Sequence, residues 1–201
     1  MARSLSSEKI AEKKAELIET AIEILEKEGL QSLTLRHLAD SAGMSRTTPY
    51  LYFSSKDALL NGIRTHCIVN LTQSCHAVIT NGEKSIEQIR QLGQVYILFG
   101  LNHPELYDLI FMTCVEPEKS GSAELYDAIK EYGRVTSTPM IVAYEQGLVS
   151  LPPERLNPVL WSASHGLLSL RRIGHIETDA DFDRILEDLG QIISAGFIVK
   201  K

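Results

Sequence analysis

Apolar residues recur every three or four positions along almost the whole chain, and no Asn-Gly or Asp-Gly pair sits between two alternating runs. A chain patterned this way buries its apolar surface by packing helix on helix, so the expected fold class is all-α. From Ser7 to Glu28 the apolar positions Ile10, Leu17, Ile18, Ala21, Ile22 and Leu25 form one stripe, and Gly29 supplies a left-handed residue to end the helix. Its other face, Glu8, Lys9, Glu12, Lys13, Lys14 and Glu16, reads as solvated surface with i,i+4 pairs.

The 201 residues are 44 % hydrophobic and 23 % charged, with 13 glycines and 7 prolines, which excludes disordered and collagen-like chains and allows one or two domains. No run reaches the roughly 18 consecutive apolar residues of a membrane span. The segment Met1 to Ser7 lacks the apolar centre of a secretory signal. The expectation is a cytoplasmic protein that binds no membrane. Three cysteines, Cys67, Cys75 and Cys114, form no Cys-x-x-Cys pair and read as reduced thiols. His66-Cys67 and Cys75-His76 lie at helical offsets that scatter them over different faces, so no metal ligands and no cofactor are expected. No nucleophile–base motif or phosphate-cradling glycine loop is present, and no catalytic residue is assigned. The alternatives are a helical small-molecule-processing enzyme using His103, His165 or Cys114, and a metal or thiol sensor.

Two short helices come after the first in quick succession. Thr34 stands as an N-cap with Leu33 and Leu38 placed as a hydrophobic staple, although His37 occupies the position where a capping box has Glu or Gln. Leu35, Leu38, Ala39 and Ala42 make the inner face, and Gly43-Met44-Ser45 is a three-residue turn. Ser45 is placed to cap a second short helix through Tyr50 and Phe53, and Ser54 or Ser55 to cap a third with Asp57 in its first turn. Short helix, glycine turn and short helix are the helix-turn-helix arrangement, which presents its second helix to the DNA major groove. Arg46, Thr47 and Thr48 carry groups that read base edges, while Thr34, Arg36, Ser55, Lys56, Tyr50 and Tyr52 suit phosphates. The net charge is −6, yet residues 29–56 hold Arg36, Arg46 and Lys56 against Asp40 alone.

The frame Thr34-x-Arg36-x-x-Ala39, Gly43-x-Ser45, Tyr50-x-x-Phe53-x-x-Lys56 and Leu59-Leu60, after a long amphipathic helix, resembles the N-terminal domain of the tetracycline-repressor (TetR) family of bacterial transcription regulators. The resemblance implies an N-terminal helix-turn-helix domain of three helices over residues 1–60 and a larger helical ligand-binding and dimerisation domain over 61–201. It further implies that Arg46, Thr47, Thr48, Tyr50 and Tyr52 face a double-stranded operator, with Thr34, Arg36 and Lys56 on phosphates; Ser45 and Ser55 are further candidate DNA contacts. Pro49 departs from the larger apolar residue common in the family. If Ser45 is the cap, Pro49 removes the first intrahelical bond; if the helix starts at Thr48, it sits in a tolerated place.

Downstream, Asn81-Gly82, His103-Pro104, Glu116 to Ser122, Leu151-Pro152-Pro153 and Gly174 to Asp181 read as joints between longer helices. Asn157-Pro158 reads as the start of a helix running to about Ile173, and Phe182, Ile185, Leu186, Leu189, Ile192 and Ile193 stripe the last one. One such helix reads few base pairs, so two copies are expected at half-sites one helical turn apart, joined through the helices near 158–173 and 181–198. Trp161-x-x-x-His165-Gly166, with Asn102 to Tyr107, resembles a TetR subgroup whose C-terminal domain is named for Trp, His and Gly. That resemblance implies a repressor released by a small-molecule effector. Candidate lining residues are Tyr96, Phe99, Tyr107, Phe111, Met112, Tyr126, Tyr144, Trp161 and His165, of which His165 reads more readily as a hydrogen-bonded core or interface histidine.

Overall fold

A computed structural model describes residues 7–113 and 122–199. The elements in order are α1 (Ser7–Glu28), α2 (Leu35–Ser41), a 3₁₀ turn (Thr48–Leu51), α3 (Lys56–Ile79), α4 (Ser85–Asn102) and α5 (Pro104–Tyr107), which runs into a π turn (Asp108–Met112). Then come α6 (Ala123–Glu145), α7 (Pro153–Arg172) and α8 (Asp179–Phe197). The fold is all-α; the described residues contain no strand, only an isolated antiparallel bridge between Val149 and Ile198. Ser150 N–H donates to the Phe197 carbonyl at 2.8 Å and Val199 N–H to the Leu148 carbonyl at 2.9 Å across it.

The chain divides into two compact units, Met1–Val69 with His103–Ile129, and Asn70–Asn102 with Lys130–Lys201. These are packing units, cut elsewhere than the functional boundary expected at residue 60: α1 takes α5 as a partner as well as α2. In the first unit α1 buries Leu17, Ile18, Ala21, Ile22, Ile24 and Leu25. No residue from Ser7 to Glu16 is buried, so Ile10, expected in the stripe, is 44 % exposed, while Ile24, outside the expected stripe, is buried. Gly29 adopts φ +81° and its N–H closes onto the Leu25 carbonyl at 2.9 Å, ending α1. Gly62 lets α3 come close: a Cβ there would lie 3.3 Å from Ile18 Cδ1 and 3.4 Å from Phe53 Cε1.

In the second unit, one cluster gathers Ile89, Met140, Ala143, Val149, Leu156 and Phe197, and another Cys75, Leu92 and Val135. The first cluster explains a correction to the expected start of α7. The helix begins at Pro153, with Arg155 and Leu156 N–H donating to the Pro152 carbonyl at 3.0 and 2.9 Å, because an earlier turn buries Leu156 completely. Asn157-Pro158 therefore lies inside the helix rather than at its start. Thr178 caps α8, accepting from Asp181 N–H at 3.1 Å.

Candidate nucleic-acid interface

The helix-turn-helix is built from local hydrogen bonds. Thr34 adopts extended geometry and its Oγ1 accepts from His37 N–H at 3.0 Å, capping α2. His37, where a capping box would need an acid, turns back and donates from Nδ1 to the Ser32 carbonyl at 3.0 Å. Leu33 and Leu38 are fully buried, as a staple requires. At the other end Gly43 takes φ +64°, Gly43 N–H donates to Asp40 O at 3.3 Å and Met44 N–H to Ala39 O at 3.0 Å. Those two reverse bonds satisfy the last carbonyls of α2 and need a left-handed residue between them, which glycine supplies without strain.

Pro49 sets the conformation of the next segment. The Ser45 carbonyl accepts from Thr48 N–H at 2.9 Å, three residues on, because Pro49 has no N–H with which to make the α-helical bond. The expected second helix from Ser45 to Phe53 is accordingly shortened to the 3₁₀ turn Thr48–Leu51, with Pro49 within its first two positions. Ser45 does not cap it. Its hydroxyl bonds the hydroxyls of Thr48 at 2.7 Å and Thr47 at 3.1 Å. Pro49 is buried and its carbonyl accepts from both Tyr52 and Phe53 N–H, at 3.0 and 2.9 Å, which fixes the buried Phe53 and hence the turn.

With Pro49 and Phe53 inward, Arg46, Thr47 and Tyr50 are exposed and Thr48 and Tyr52 half-buried. Arg46 Nε lies 3.6 Å from Asp40 Oδ1, both side chains more than half exposed, so this ion pair is worth little and gives way readily to a competing acceptor. Thr34 and Arg36 are exposed at the start of α2. Ser55 is exposed and caps α3, accepting from Ala58 N–H at 3.1 Å. Lys56 is half-buried, and its Nζ donates to the Leu30 carbonyl at 3.1 Å, tying α3 to the loop after α1. Sequence reasoning misses that bond, since nothing local pairs residues so far apart. The exposed set offers two guanidiniums, hydroxyls and a phenol: donors and acceptors suited to base edges and phosphate oxygens.

The expected effector-lining residues fall in both units. In the second, Trp161 Nε1–H donates to Tyr96 Oη at 3.0 Å, and Tyr96 Oη lies 3.1 Å from His165 Nδ1. The Trp161 and His165 rings are 5.3 Å apart. Tyr96 is buried, Phe99 half-buried, and Trp161 and Tyr144 nearly half exposed. In the first, Tyr107 is buried with the Phe111 ring 5.4 Å away, Tyr126 is half-buried and Met112 is exposed.

Cys67 and Cys75 are buried thiols. Burial, reinforced by the charges of Glu19 and Glu26, pushes Cys67 up to about 12, and burial pushes Cys75 up to about 11. Both are therefore poor nucleophiles. Cys114 lies outside the described residues. His66 pairs with Glu19 at 3.0 Å and His76 with Glu131 at 3.5 Å. Among the described residues no three His, Cys, Asp or Glu side chains converge to hold a metal ion, and no helix is long and apolar enough to cross a membrane.

Residues 17–63 match the family model described as bacterial regulatory proteins, tetR family, and residues 89–191 match the one described as tetracyclin repressor-like, C-terminal domain. Among curated proteins, an uncharacterized HTH-type transcriptional regulator, YerO of Bacillus subtilis, is 24 % identical over 141 residues. The match takes in 68 % of this chain and 48 % of that protein, so the chain spans about half the length of the relative. A Rhodococcus sp. RHA1 protein of unknown function has a similar structure, with TM-score 0.76 and 22 % identity over 90 % of this chain and 94 % of that one. The fatty acid degradation regulator FadR of Bacillus halodurans superposes with TM-score 0.71 and 14 % identity over 90 % of this chain and 94 % of its own. The ketosteroid transcriptional regulator KstR2 of Mycobacterium tuberculosis superposes with TM-score 0.65 and 15 % identity over 94 % of this chain and 96 % of its own.

Proposed function

Because the chain belongs to the tetR family of bacterial regulatory proteins, DNA-binding transcriptional regulators rather than enzymes, we propose that it is a cytoplasmic homodimeric repressor released from a palindromic operator by a small apolar effector. The observation that carries this reading is the outward face of the turn after Gly43. Arg46, Thr47 and Tyr50 stand in solvent on a backbone whose Pro49 and Phe53 are buried. Arg46 and Thr47, with Thr48 at their edge, take base edges; Thr34, Arg36, Ser45, Tyr50, Tyr52, Ser55 and Lys56 take the sugar-phosphate flanks. Residues 1–60 act as the DNA-binding domain and 61–201 as the effector and dimerisation domain.

Dimerisation is supported by surfaces that a single chain leaves in water. Along α7, Val159, Ser162 and Leu170 are exposed at helical spacing, as is Ile173 at its C-cap, and along α8 so are Ile185 and Ile192. Ile192 is 71 % exposed and a Cβ on Gly166 would meet nothing, as expected where a second helix approaches closely. The Tyr96, Trp161 and His165 cluster suits the polar end of an effector, with Phe99 and Tyr144 in the same unit as further candidates. The names of the FadR and KstR2 neighbours, fatty acid degradation and ketosteroid, agree with an apolar compound. Trp161, His165 and Gly166 support the Trp-His-Gly subgroup within the family.

Release is a population shift. An effector that binds the non-operator arrangement about 10- to 100-fold more tightly supplies ~1.4–2.8 kcal/mol of coupling. Helix α3 contributes residues to both units and is the element proposed to carry the change. Selection of bound duplexes from a randomised library tests the reading: a symmetric motif with half-sites one turn apart is expected, and recovery of no preferred sequence would overturn it.

A further inference from the structure

We propose that Leu51 is a specificity-determining residue that packs on the 5-methyl group of a thymine in the major groove; the proposal rests on the DNA-binding reading above. The residues from Arg46 to Phe53 sort cleanly by exposure. Pro49 and Phe53 are buried, Thr48 and Tyr52 are half-buried, and Arg46, Thr47, Tyr50 and Leu51 face solvent. In a 3₁₀ turn side chains three residues apart line up, so Tyr50 stands one turn on from Thr47 and Leu51 one turn on from Thr48. Leu51 is 80 % exposed and Tyr50 58 %. A leucine alone on a surface needs no explanation, but this one lines up with Thr48, whose hydroxyl stands at the edge of the group assigned to bases. Pro49 and Phe53 already anchor the turn, so the fold gains little from a side chain as open as that of Leu51.

Of the groups that the four base pairs present in the major groove, only the thymine methyl is apolar. Set against the cytosine amino group or the guanine O6 and N7, the same side chain would strip water from a polar edge and return no hydrogen bond. Leu51 thus selects by attraction to thymine and by penalty against the other edges. Carrying no charge, it contributes to sequence preference and leaves the counterion term alone.

The test uses the protein and the duplex recovered by selection from a randomised library, with each thymine and its symmetry mate in the other half-site replaced together by deoxyuridine, which deletes the two methyl groups alone. One such symmetric pair should lose about fourfold in affinity per half-site, the worth of a buried methyl at each. Leu51→Ala should lose a similar factor on the thymine duplex, show no further loss on the deoxyuridine duplex, and keep the salt slope and melting temperature of the parent chain. Equal sensitivity of both proteins to deoxyuridine at every position would overturn the proposal. So would a Leu51→Ala variant with unchanged affinity and base preference. If selection recovers no motif for either protein, the DNA-binding reading itself fails and takes this one with it.

Discussion

At the scale of single residues, the turn after Gly43 separates side chains that hold it from side chains that use it. Arg46 is held by an exposed ion pair to Asp40, so Arg46→Ala should leave the melting temperature nearly unchanged. It should cost about 1–3 kcal/mol of operator binding and relax preference at one base. Lys56→Ala should weaken all sequences alike and lower the salt slope by about one, and it should also destabilise the fold by about 1 kcal/mol because Nζ holds the Leu30 carbonyl. Binding isotherms at several salt concentrations beside thermal melts distinguish the two; equal salt slopes would refute the division. Cys67 gives a pH prediction. Burial raises its folded value to about 12 from an ordinary 9.0, so the stability it contributes is complete below about pH 9 and is lost as pH rises toward 12. Alkaline titration of unfolding should show that loss, and Cys67→Ala should flatten it. At neutral pH the thiol should resist alkylation until the chain unfolds.

At the scale of elements, what is legible in the sequence is what neighbours in the chain decide. Gly29 and Gly43 stop their helices, and Thr34, Ser55 and Thr178 cap theirs, through bonds that span only a few residues. Helix α2 has only seven residues and depends on its cap, so Thr34→Ala should destabilise by about 1 kcal/mol while Thr34→Ser restores most of it. Denaturant titration measures this, and equal stability of the three proteins would remove the cap from the account. The misreadings have tertiary causes. Asn157-Pro158 resembles a helix start because proline seldom sits further in, yet the burial of Leu156 outweighs the lost hydrogen bond. Pro49 leaves two helix starts open in the sequence, and its burial beside Phe53 decides between them. Periodicity places Ile10 in the core because it cannot see that α1 buries side chains only from Leu17 onward, its residues Ser7 to Glu16 staying exposed or half-buried.

At the scale of the whole molecule, recognition by so short an element demands duplication. A turn of four residues with one guanidinium and a few hydroxyls beside it is small beside a half-site, and on the proposed homodimeric reading both affinity and palindromic specificity come from joining two copies in fixed register. The exposed stripes of α7 and α8 are the surface assigned to that task, and Ile192 is the residue to probe, since at 71 % exposure it contributes little to the folded single chain. Ile192→Glu would place a charge inside the proposed helix–helix interface, where desolvation without a partner opposes association. The variant should melt near the parent temperature at low concentration and sediment as a monomer. It should bind the selected palindrome more than about tenfold more weakly, while affinity for a single half-site stays unchanged. The last comparison matters most: loss on both duplexes would mean that the substitution had damaged the DNA-reading unit, whereas loss confined to the palindrome assigns α7 and α8 to pairing the two copies.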